Sequence, residues 1–401
     1  MSLPEQRLSE REFIPLTALV ISLVALSIDA MLPALPNIGR DLELTDINDA
    51  QLIIGVVLLA MGLGTLVFGP MSDSFGRKPT IYIGFAIFIG GTLTCTFATS
   101  FEMIMMGRAL QGLGCAAPRI VMMAIVRDQY SGDAMARIMS FVMSVFILVP
   151  AIAPAIGQGL MLVFDWRAIF VMLLAVAIIA ALWLGIRQPE THPPEKRRPF
   201  RLAPLWVAFR EVIRHRVTVG YTVAAGFIFA PFIGFLSSCQ QVFANVYGQG
   251  DNFPYLFGIL ALAIGSASAV NGKLVLRWGM RRLLNKALSV ATVAGLVFAG
   301  YALLSNSPPG LPMFMAYFLI AFFCNGMLFS NLNAIAMEPL GKVAGMGAAV
   351  INALSTLISV PLGAYIGHAF DGTIIPLVGS FAAFTGLCGL TVIVTESKSP
   401  R

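Results

Sequence analysis

The sequence predicts an all-helical membrane protein with twelve transmembrane helices arranged in two six-helix bundles. Composition predicts the class: of 401 residues, 58% are hydrophobic and only 11% are charged, and the mean hydropathy is +0.84. Soluble proteins of this size need more charge to cover their surfaces, so soluble, disordered and coiled-coil classes are excluded. The apolar segments are long and continuous instead of alternating, which excludes a membrane β-barrel.

Twelve segments are long and apolar enough to cross a bilayer, which requires about 20 mostly apolar residues. The predicted spans are residues 14–37, 50–71, 80–99, 103–126, 136–162, 166–186, 217–241, 253–276, 284–304, 311–336, 343–369 and 374–395. One long connector separates six spans from six. We therefore expect an N-terminal bundle at 1–186, a basic cytoplasmic connector at 187–216 and a C-terminal bundle at 217–401.

The basic residues predict the orientation of the chain. With the N-terminus inside, all but four of the 26 lysines and arginines lie in or beside cytoplasmic segments. The four exceptions are Arg40, Arg108, Arg119 and Arg167. This bias follows the positive-inside rule, so both termini are expected in the cytoplasm. The connector contributes four bases that we expect at anionic lipid headgroups, Lys196, Arg197, Arg198 and Arg201.

The connector between the second and third spans is the most informative segment. It reads Gly69-Pro70-Met71-Ser72-Asp73-Ser74-Phe75-Gly76-Arg77-Lys78-Pro79. Its glycines permit close approach and a left-handed turn. Asp73 can accept hydrogen bonds from a helix N-terminus, where an anion is favoured. The two bases are expected to anchor the cytoplasmic surface.

This connector resembles the signature loop of the major facilitator superfamily, Gly-x-x-x-Asp-x-x-Gly-Arg-Lys. The matching positions are Gly69, Asp73, Gly76, Arg77 and Lys78. The resemblance implies the major facilitator fold and a loop that braces the two halves on the cytoplasmic side in the outward-open state. It also implies that the aspartate engages the eleventh helix near residues 343–349.

The second half contains a weaker copy of this loop. Gly272 and Gly279 keep the seven-residue spacing, but Leu276 stands where the aspartate would be. An internal repeat of six spans is typical of secondary transporters that bind substrate between their halves.

Asp29 is the only acidic residue deep inside a predicted span. Because an isolated ionised carboxylate in hydrocarbon is costly, Asp29 should face a cavity and either bind a proton or pair with a base. Arg108 lies at a similar depth from the same side, so a side-chain pair or a water bridge is expected. A rearrangement that changes their separation would change the proton affinity of the carboxylate. We therefore assign both residues to proton coupling; a purely structural role is the alternative for each.

The fourth span presents a polar helix face. Its members follow helical spacing and are Arg108, Gln111, Gly112, Cys115 and Arg119. A face with two arginines is expected to line a water-filled pathway. Two explanations for Arg119 stay open, namely an anionic or zwitterionic substrate and a bridge to Asp128.

Further motifs resemble the Bcr/CflA (bicyclomycin/chloramphenicol-resistance) subfamily of drug:proton antiporters. The first-helix run from Ser27 to Pro36 is similar to that subfamily's motif, as is Asp165-Trp166-Arg167-x-x-Phe170 at the sixth span. The fifth-helix antiporter motif is matched by Pro150, Pro154 and Gly157. The resemblance implies proton-driven export of drug-like compounds across a bacterial inner membrane.

The second half offers a mixture of aromatic and uncharged polar residues that suits an amphiphilic ligand. The candidate substrate contacts are Phe232, Gln241, Asn325, Phe329 and Asn333.

The sequence thus predicts a secondary transporter that is not an enzyme. Its expected partners are a small-molecule substrate, protons and the lipid bilayer, with no nucleic acid. We expect a monomer without cofactor or metal, and the absence of a nucleotide-binding motif excludes pumping driven by ATP. The rival function is transport of a specific metabolite by the same fold, including an organic anion and including uptake.

Overall fold

The structure, a computed structural model, describes residues 8–197, 199–200, 203–305 and 307–397. Every regular element in these ranges is a helix. Within the described ranges, twelve helical segments are long and apolar enough to cross a membrane, which confirms the predicted all-α, twelve-span class. Two of the predicted headgroup contacts in the connector, Arg198 and Arg201, lie outside the described residues.

The helix bounds follow the predicted spans closely. Before the connector lie α1 (Glu10–Asp29), α2 (Leu35–Asp41), α3 (Leu52–Phe75), α4 (Arg77–Thr96), α5 (Phe101–Gln129), α6 (Gly132–Met161) and α7 (Arg167–Arg187). After it lie α8 (Ala203–Arg214), α9 (Arg216–Gln241), α10 (Phe253–Trp278), α11 (Met280–Leu304), α12 (Leu311–Met337), α13 (Ala344–His368) and α14 (Ile375–Ser397).

The chain divides into two compact units. The first consists of Met1–Ala34 with Val56–Leu202, and the second of Leu35–Gly55 with Ala203–Arg401. The segment that joins the first two spans is therefore packed into the second unit. Within that unit, Gln51 donates from Nε2 to Oε1 of Gln241 at 2.6 Å, and Asn48 donates from Nδ2 to the carbonyl of Phe370 at 3.1 Å.

In the first unit, α5 packs closely on α4 through glycines. A Cβ atom on Gly91 would lie 2.6 Å from the carbonyl oxygen of Gly107, and one on Gly114 would lie 2.5 Å from the backbone nitrogen of Phe88. Small residues of this kind let the backbones of membrane helices approach each other. The contact holds α5, with its polar side chains, in a fixed position against its neighbours.

In the second unit, aromatic side chains fill the space around α9. The ring of Phe235 is fully buried and lies 4.8 Å from that of Phe322 and 5.1 Å from that of Phe318, measured between centroids. Aromatic pairs at these distances add packing energy beyond the burial of their area.

The first predicted span is interrupted. α1 ends at Asp29, a turn of 3-10 helix covers Leu32–Ala34, and α2 follows. The physical reason is Pro33, which has no N–H to donate to the carbonyl of Asp29 four residues earlier and whose ring crowds the preceding turn. The span predicted over 14–37 is confirmed as Glu10–Asp41, and the interruption of its helix is a detail that the span alone did not predict.

The connector contains an amphipathic helix, α8, which the sequence reasoning did not predict. Trp206 and Ile213 are exposed, whereas Ala208 and Val212 are fully buried against the second unit. Arg210 is also exposed. A helix with exposed apolar and basic side chains is typical of the membrane interface.

Candidate coupling and substrate site

Asp29 lies at the break in the first span. It is 6% exposed, and its side chain forms none of the hydrogen bonds or ion pairs found among the described residues. It is also the last residue of α1, at the helix end whose partial charge is negative. Charging this carboxylate is therefore costly, because no base in the described ranges pairs with it and it does not lie at the positive end of a helix.

Arg108 binds the end of α1 and not the carboxylate of Asp29. Its fully buried guanidinium donates to the carbonyl oxygen of Ser27 at 2.8 Å and to Oε1 of Gln111 at 2.7 Å. Because α1 stops at Asp29, the carbonyl of Ser27 is one of the last four, which lack a partner inside the helix. The expected direct side-chain pair between Asp29 and Arg108 is not formed, since the arginine caps the helix end instead.

A buried polar network extends from this cap to a third helix. Nε2 of Gln111 donates to Oγ1 of Thr92 at 2.8 Å, and that hydroxyl donates to the carbonyl of Phe88 at 2.7 Å. The guanidinium of Arg108 lies 6.0 Å from the ring centroid of Phe170, which belongs to the sixth-span motif. The network joins α1, α4 and α5, so it fixes the side-chain positions around the break.

Most of the polar face of α5 is packed and does not line an opening. Gly112 lies against the backbone of Val57 on α3, where a Cβ atom would overlap the carbonyl group. Cys115 is 1% exposed, and its sulfur lies 3.8 Å from Oγ of Ser27. The expectation that the whole face lines a water-filled pathway was wrong for these residues and for Gln111, because tight helix packing encloses them.

Arg119 is the exception on this face. It is exposed although it lies near the middle of a membrane-spanning helix. Its Nη1 approaches the sulfur of Met61 at 3.9 Å, and it forms no ion pair among the described residues. The proposed bridge to Asp128 is absent, because that carboxylate accepts from Nε of Arg77 at 2.9 Å and from the hydroxyl of Thr191 at 3.0 Å.

The fifth-helix motif packs directly on the break. Pro150 and Pro154 lie inside α6, and Gly157 lies one turn further along. A Cβ atom at Gly157 would overlap the carbonyl oxygen of Ala30, the residue that follows Asp29. The glycine therefore allows α6 to contact the backbone at the end of α1.

The signature loop is a tight reversal centred on Gly76. This glycine has φ +100, a conformation that side chains disfavour. Arg77 is 6% exposed and donates to Oδ1 of Asp73 at 2.6 Å and to Oγ of Ser72 at 2.9 Å. Nζ of Lys78 donates to the carbonyl of Gly185 at 2.9 Å.

The first glycine of the loop has no structural role of this kind. Among the described residues, no atom lies within 4 Å of the Cβ position of Gly69, so no close approach requires a glycine there.

Glu190 caps the N-terminus of α4, a role that the sequence reasoning gave to Asp73. Its two carboxylate oxygens accept from the backbone nitrogens of Arg77 at 2.9 Å and Lys78 at 3.0 Å. Asp73 lies at the end of α3 and pairs with the side chain of Arg77 instead. A residue more than a hundred positions away carries no local signal for this contact, which is why sequence reasoning missed it.

We expect Glu190→Ala to destabilise the protein by about 1–2 kcal/mol, because two backbone donors lose the carboxylate that caps them. The matched control is Glu195→Ala, which removes an exposed carboxylate of the same connector that has no partner among the described residues. The midpoint of thermal unfolding in detergent measures both. Equal midpoints for the two variants would contradict a capping role.

The candidate substrate contacts in the second unit are partly engaged elsewhere. Gln241 bonds with Gln51 at 2.6 Å and donates to Asn48 at 3.1 Å, so its amide is not available to a ligand. Asn325 donates to the carbonyl of Ile228 at 3.3 Å. Asn325 also lines a cavity of about 10 Å³, which holds about one water molecule and no substrate. Both side chains are held by these contacts in the described conformation, and their role as substrate contacts stays a prediction.

The remaining candidates form an aromatic group on one side of α9 and α12. Phe229 packs on Phe329 at 5.2 Å and on Phe232 at 5.5 Å between ring centroids. Asn333 donates to the carbonyl of Phe329 at 2.9 Å, within its own helix. Phe232, Phe329 and Asn333 are half-buried, so each keeps a surface that a ligand can reach.

Sequence comparisons agree with these motifs. Residues 17–364 match the model of the Major Facilitator Superfamily. The bicyclomycin resistance protein homolog of Haemophilus influenzae is 29% identical, with 96% of each chain covered. The uncharacterized MFS-type transporter YdgK of Bacillus subtilis is 28% identical, covering 91% of this chain and 90% of that one. The multidrug resistance protein MdtL of Salmonella typhimurium is 33% identical over an alignment that covers 48% of this chain and 47% of the MdtL chain.

Solved structures share the fold. The human organic anion transporter MFSD10 (TETRAN) superposes with a TM-score of 0.69 at 18% identity, covering 97% of this chain and 99% of that one. The xylose transporter XylE from E. coli, in a partially occluded inward-open conformation, superposes with a TM-score of 0.71 at 11% identity, covering 98% of both chains. With the family model matching most of its length, the chain belongs to the Major Facilitator Superfamily of membrane transporters.

Proposed function

We propose that the protein exports small amphiphilic, drug-like compounds of the phenicol or bicyclomycin type in exchange for protons, by alternating access. The relatives named for bicyclomycin resistance and multidrug resistance support the substrate class. We also propose that the protein lies in a bacterial inner membrane with both termini in the cytoplasm, and the distribution of lysines and arginines supports that orientation.

The observation that carries the proton-coupling proposal is Asp29 at the interrupted helix. Discontinuous helices of secondary transporters typically form the sites for substrates and coupling ions. Here the break leaves a buried carboxylate that has no basic partner among the described residues, beside a backbone end that Arg108 caps. A carboxylate in this position exchanges a proton when the break opens to water on one side of the membrane. Arg108 acts by holding the helix end in place and not by pairing with the acid.

The proposed moving bodies are the two six-helix bundles, 1–186 and 217–401, linked by the connector 187–216. In the described conformation, the joining segment Leu35–Gly55 of the first bundle is packed into the second unit. We further propose that the signature loop braces them in the outward-open state. Among the described residues, the carboxylate of Asp73 pairs with Arg77 alone, in its own loop, and 59% of its side-chain surface stays exposed. An exposed carboxylate that is already oriented by an arginine is suited to engage the eleventh span in another conformation.

Efflux into inverted membrane vesicles tests the proposal. A panel of phenicols, bicyclomycin, cationic dyes and organic anions is offered with and without a protonophore. We expect uptake of several amphiphilic compounds into the vesicles, and we expect collapse of the proton gradient to abolish it. Transport that is indifferent to the protonophore would contradict proton antiport, and selective transport of one metabolite would contradict drug export.

A second candidate function is transport of an organic anion, and Arg119 is the observation that favours it. A guanidinium exposed at mid-membrane depth must face water, because exposure to hydrocarbon is costly. No acid among the described residues neutralises it. A carboxylate, sulfonate or phosphate on the substrate would supply the missing charge.

We expect Arg119→Gln to weaken binding of anionic amphiphiles about tenfold or more, the loss of one charge-assisted hydrogen bond, and to leave neutral amphiphiles unchanged. Arg127→Gln, an exposed arginine at the end of the same helix, is the matched control. Equilibrium binding to the purified protein measures both. Equal affinity of wild type and Arg119→Gln for the anionic compound would remove the support for this candidate.

A further inference from the structure

A large apolar groove lies on the second unit, apart from the site described above. It has a volume of about 800 Å³ and is lined by fourteen residues of α10, α11 and α12. The groove exists because α10 and α11 both pack extensively on α12 but barely touch each other. α12 therefore forms its floor, and the two other helices form its walls.

The groove opens toward hydrocarbon. Leu262, Val290 and Ile320 line it and are each about half exposed, although all three lie within membrane-spanning helices. Twelve of the lining residues are apolar or aromatic, and the two others are Ser266 and Lys286. An open apolar surface at this depth is in contact with acyl chains and not with water.

Its length matches one leaflet of the bilayer. The groove extends along α10 from Leu262 to Trp278, the last residue of the helix. Sixteen residues at 1.5 Å per residue span roughly 24 Å. One leaflet with its headgroup region is about 20 Å thick. The groove therefore begins at the membrane surface and ends near the middle of the bilayer.

Positive charge lies at the surface end. Nζ of Lys286 lies 3.8 Å from the ring centroid of Trp278, so the ammonium group extends toward the membrane surface along the tryptophan. Arg277 and Arg282 are exposed at the turn between α10 and α11. Arg281, at the same turn, is not available to a ligand in this way, because its guanidinium forms ion pairs with Glu338 at 2.8 Å and Glu396 at 3.2 Å.

We propose that this groove binds a phospholipid with an anionic headgroup, with the acyl chain along α12 and the phosphate at Lys286 and the neighbouring arginines. Basic pockets between membrane helices bind anionic headgroups, and tryptophan is favoured at the same level. The lipid separates α10 from α11, so it acts as a structural ligand of the second unit. The proposal is independent of what the protein transports.

Native mass spectrometry of the purified full-length protein tests this, with phosphatidylglycerol or phosphatidylcholine of equal chain length added in detergent. We expect wild type to retain phosphatidylglycerol preferentially. Lys286→Gln removes the ammonium group, and Ser266→Trp fills the groove from an exposed position without changing charge. Each is expected to retain about one fewer phosphatidylglycerol per chain. Arg127→Gln on α5, outside the groove, is the matched control and is expected to retain lipid as wild type does.

Each contrary result overturns a stated part of the proposal. Equal retention of the two lipids by wild type would show that the charge does not select the headgroup. Unchanged retention in Ser266→Trp would show that the lipid is held at the surface and not in the groove. A loss in Arg127→Gln as large as in Lys286→Gln would show that any basic residue suffices.

Discussion

Asp29→Asn is expected to reduce export driven by a pH gradient by about 5- to 150-fold, the range of typical coupling free energies between two ligands. Asparagine keeps the size of the side chain and cannot release a proton. The carboxylate in the described conformation has no ion-pair partner, so its removal breaks no salt bridge among the described residues. The loss should therefore appear in coupling and not in folding. Transport into inverted vesicles against an imposed pH gradient measures it.

Two controls separate coupling from structure. Asp133→Asn removes an exposed carboxylate in the same unit and is expected to leave transport unchanged. Exchange of labelled for unlabelled substrate across the membrane needs no net proton movement, so Asp29→Asn should retain it. Full export by Asp29→Asn under a pH gradient would exclude this carboxylate from proton coupling. Loss of exchange together with export would instead assign Asp29 to substrate binding.

Much of the fold could be predicted because the apolar composition and the length of a segment are enough to identify a membrane-spanning helix. Predicting the twelve spans required only that apolar segments be long enough, and the spans of the structure agree with the predicted ones within a few residues at most ends. The break after Asp29 was also present in the sequence as Pro33, whose missing N–H falls opposite the carbonyl of the aspartate. A proline does not by itself predict a break, because prolines are tolerated in membrane helices when neighbours satisfy the freed groups.

The site was less predictable, because its contacts join residues far apart in the chain. Spacing along α5 correctly placed Arg108 and Gln111 on one face, but it could not show that Ser27 would supply the oxygen that the arginine binds. The same holds for Glu190, which caps a helix more than a hundred residues before it. Helical periodicity identifies the face of a helix, whereas the partner of that face depends on tertiary packing.

Gly157→Ala is expected to have the second large effect. The added methyl group would overlap the carbonyl oxygen of Ala30, so α6 and the break must move apart. Overpacking of this kind costs about 1–3 kcal/mol. It also displaces the backbone beside Asp29, so we expect both a lower midpoint of thermal unfolding and reduced export driven by the pH gradient.

Gly159→Ala, in the same helix, is the matched control, and it is not expected to lower the midpoint of thermal unfolding. No atom lies within 4 Å of its Cβ position, so the substitution meets no neighbour. Alanine forms helix better than glycine by about 1 kcal/mol, and the midpoint of unfolding should stay equal or rise. A lower midpoint in Gly157→Ala together with an equal or higher midpoint in Gly159→Ala would trace the loss to the contact with Ala30. If both variants instead behave alike, α6 does not pack on the break, and the fifth-helix motif has no part in holding Asp29.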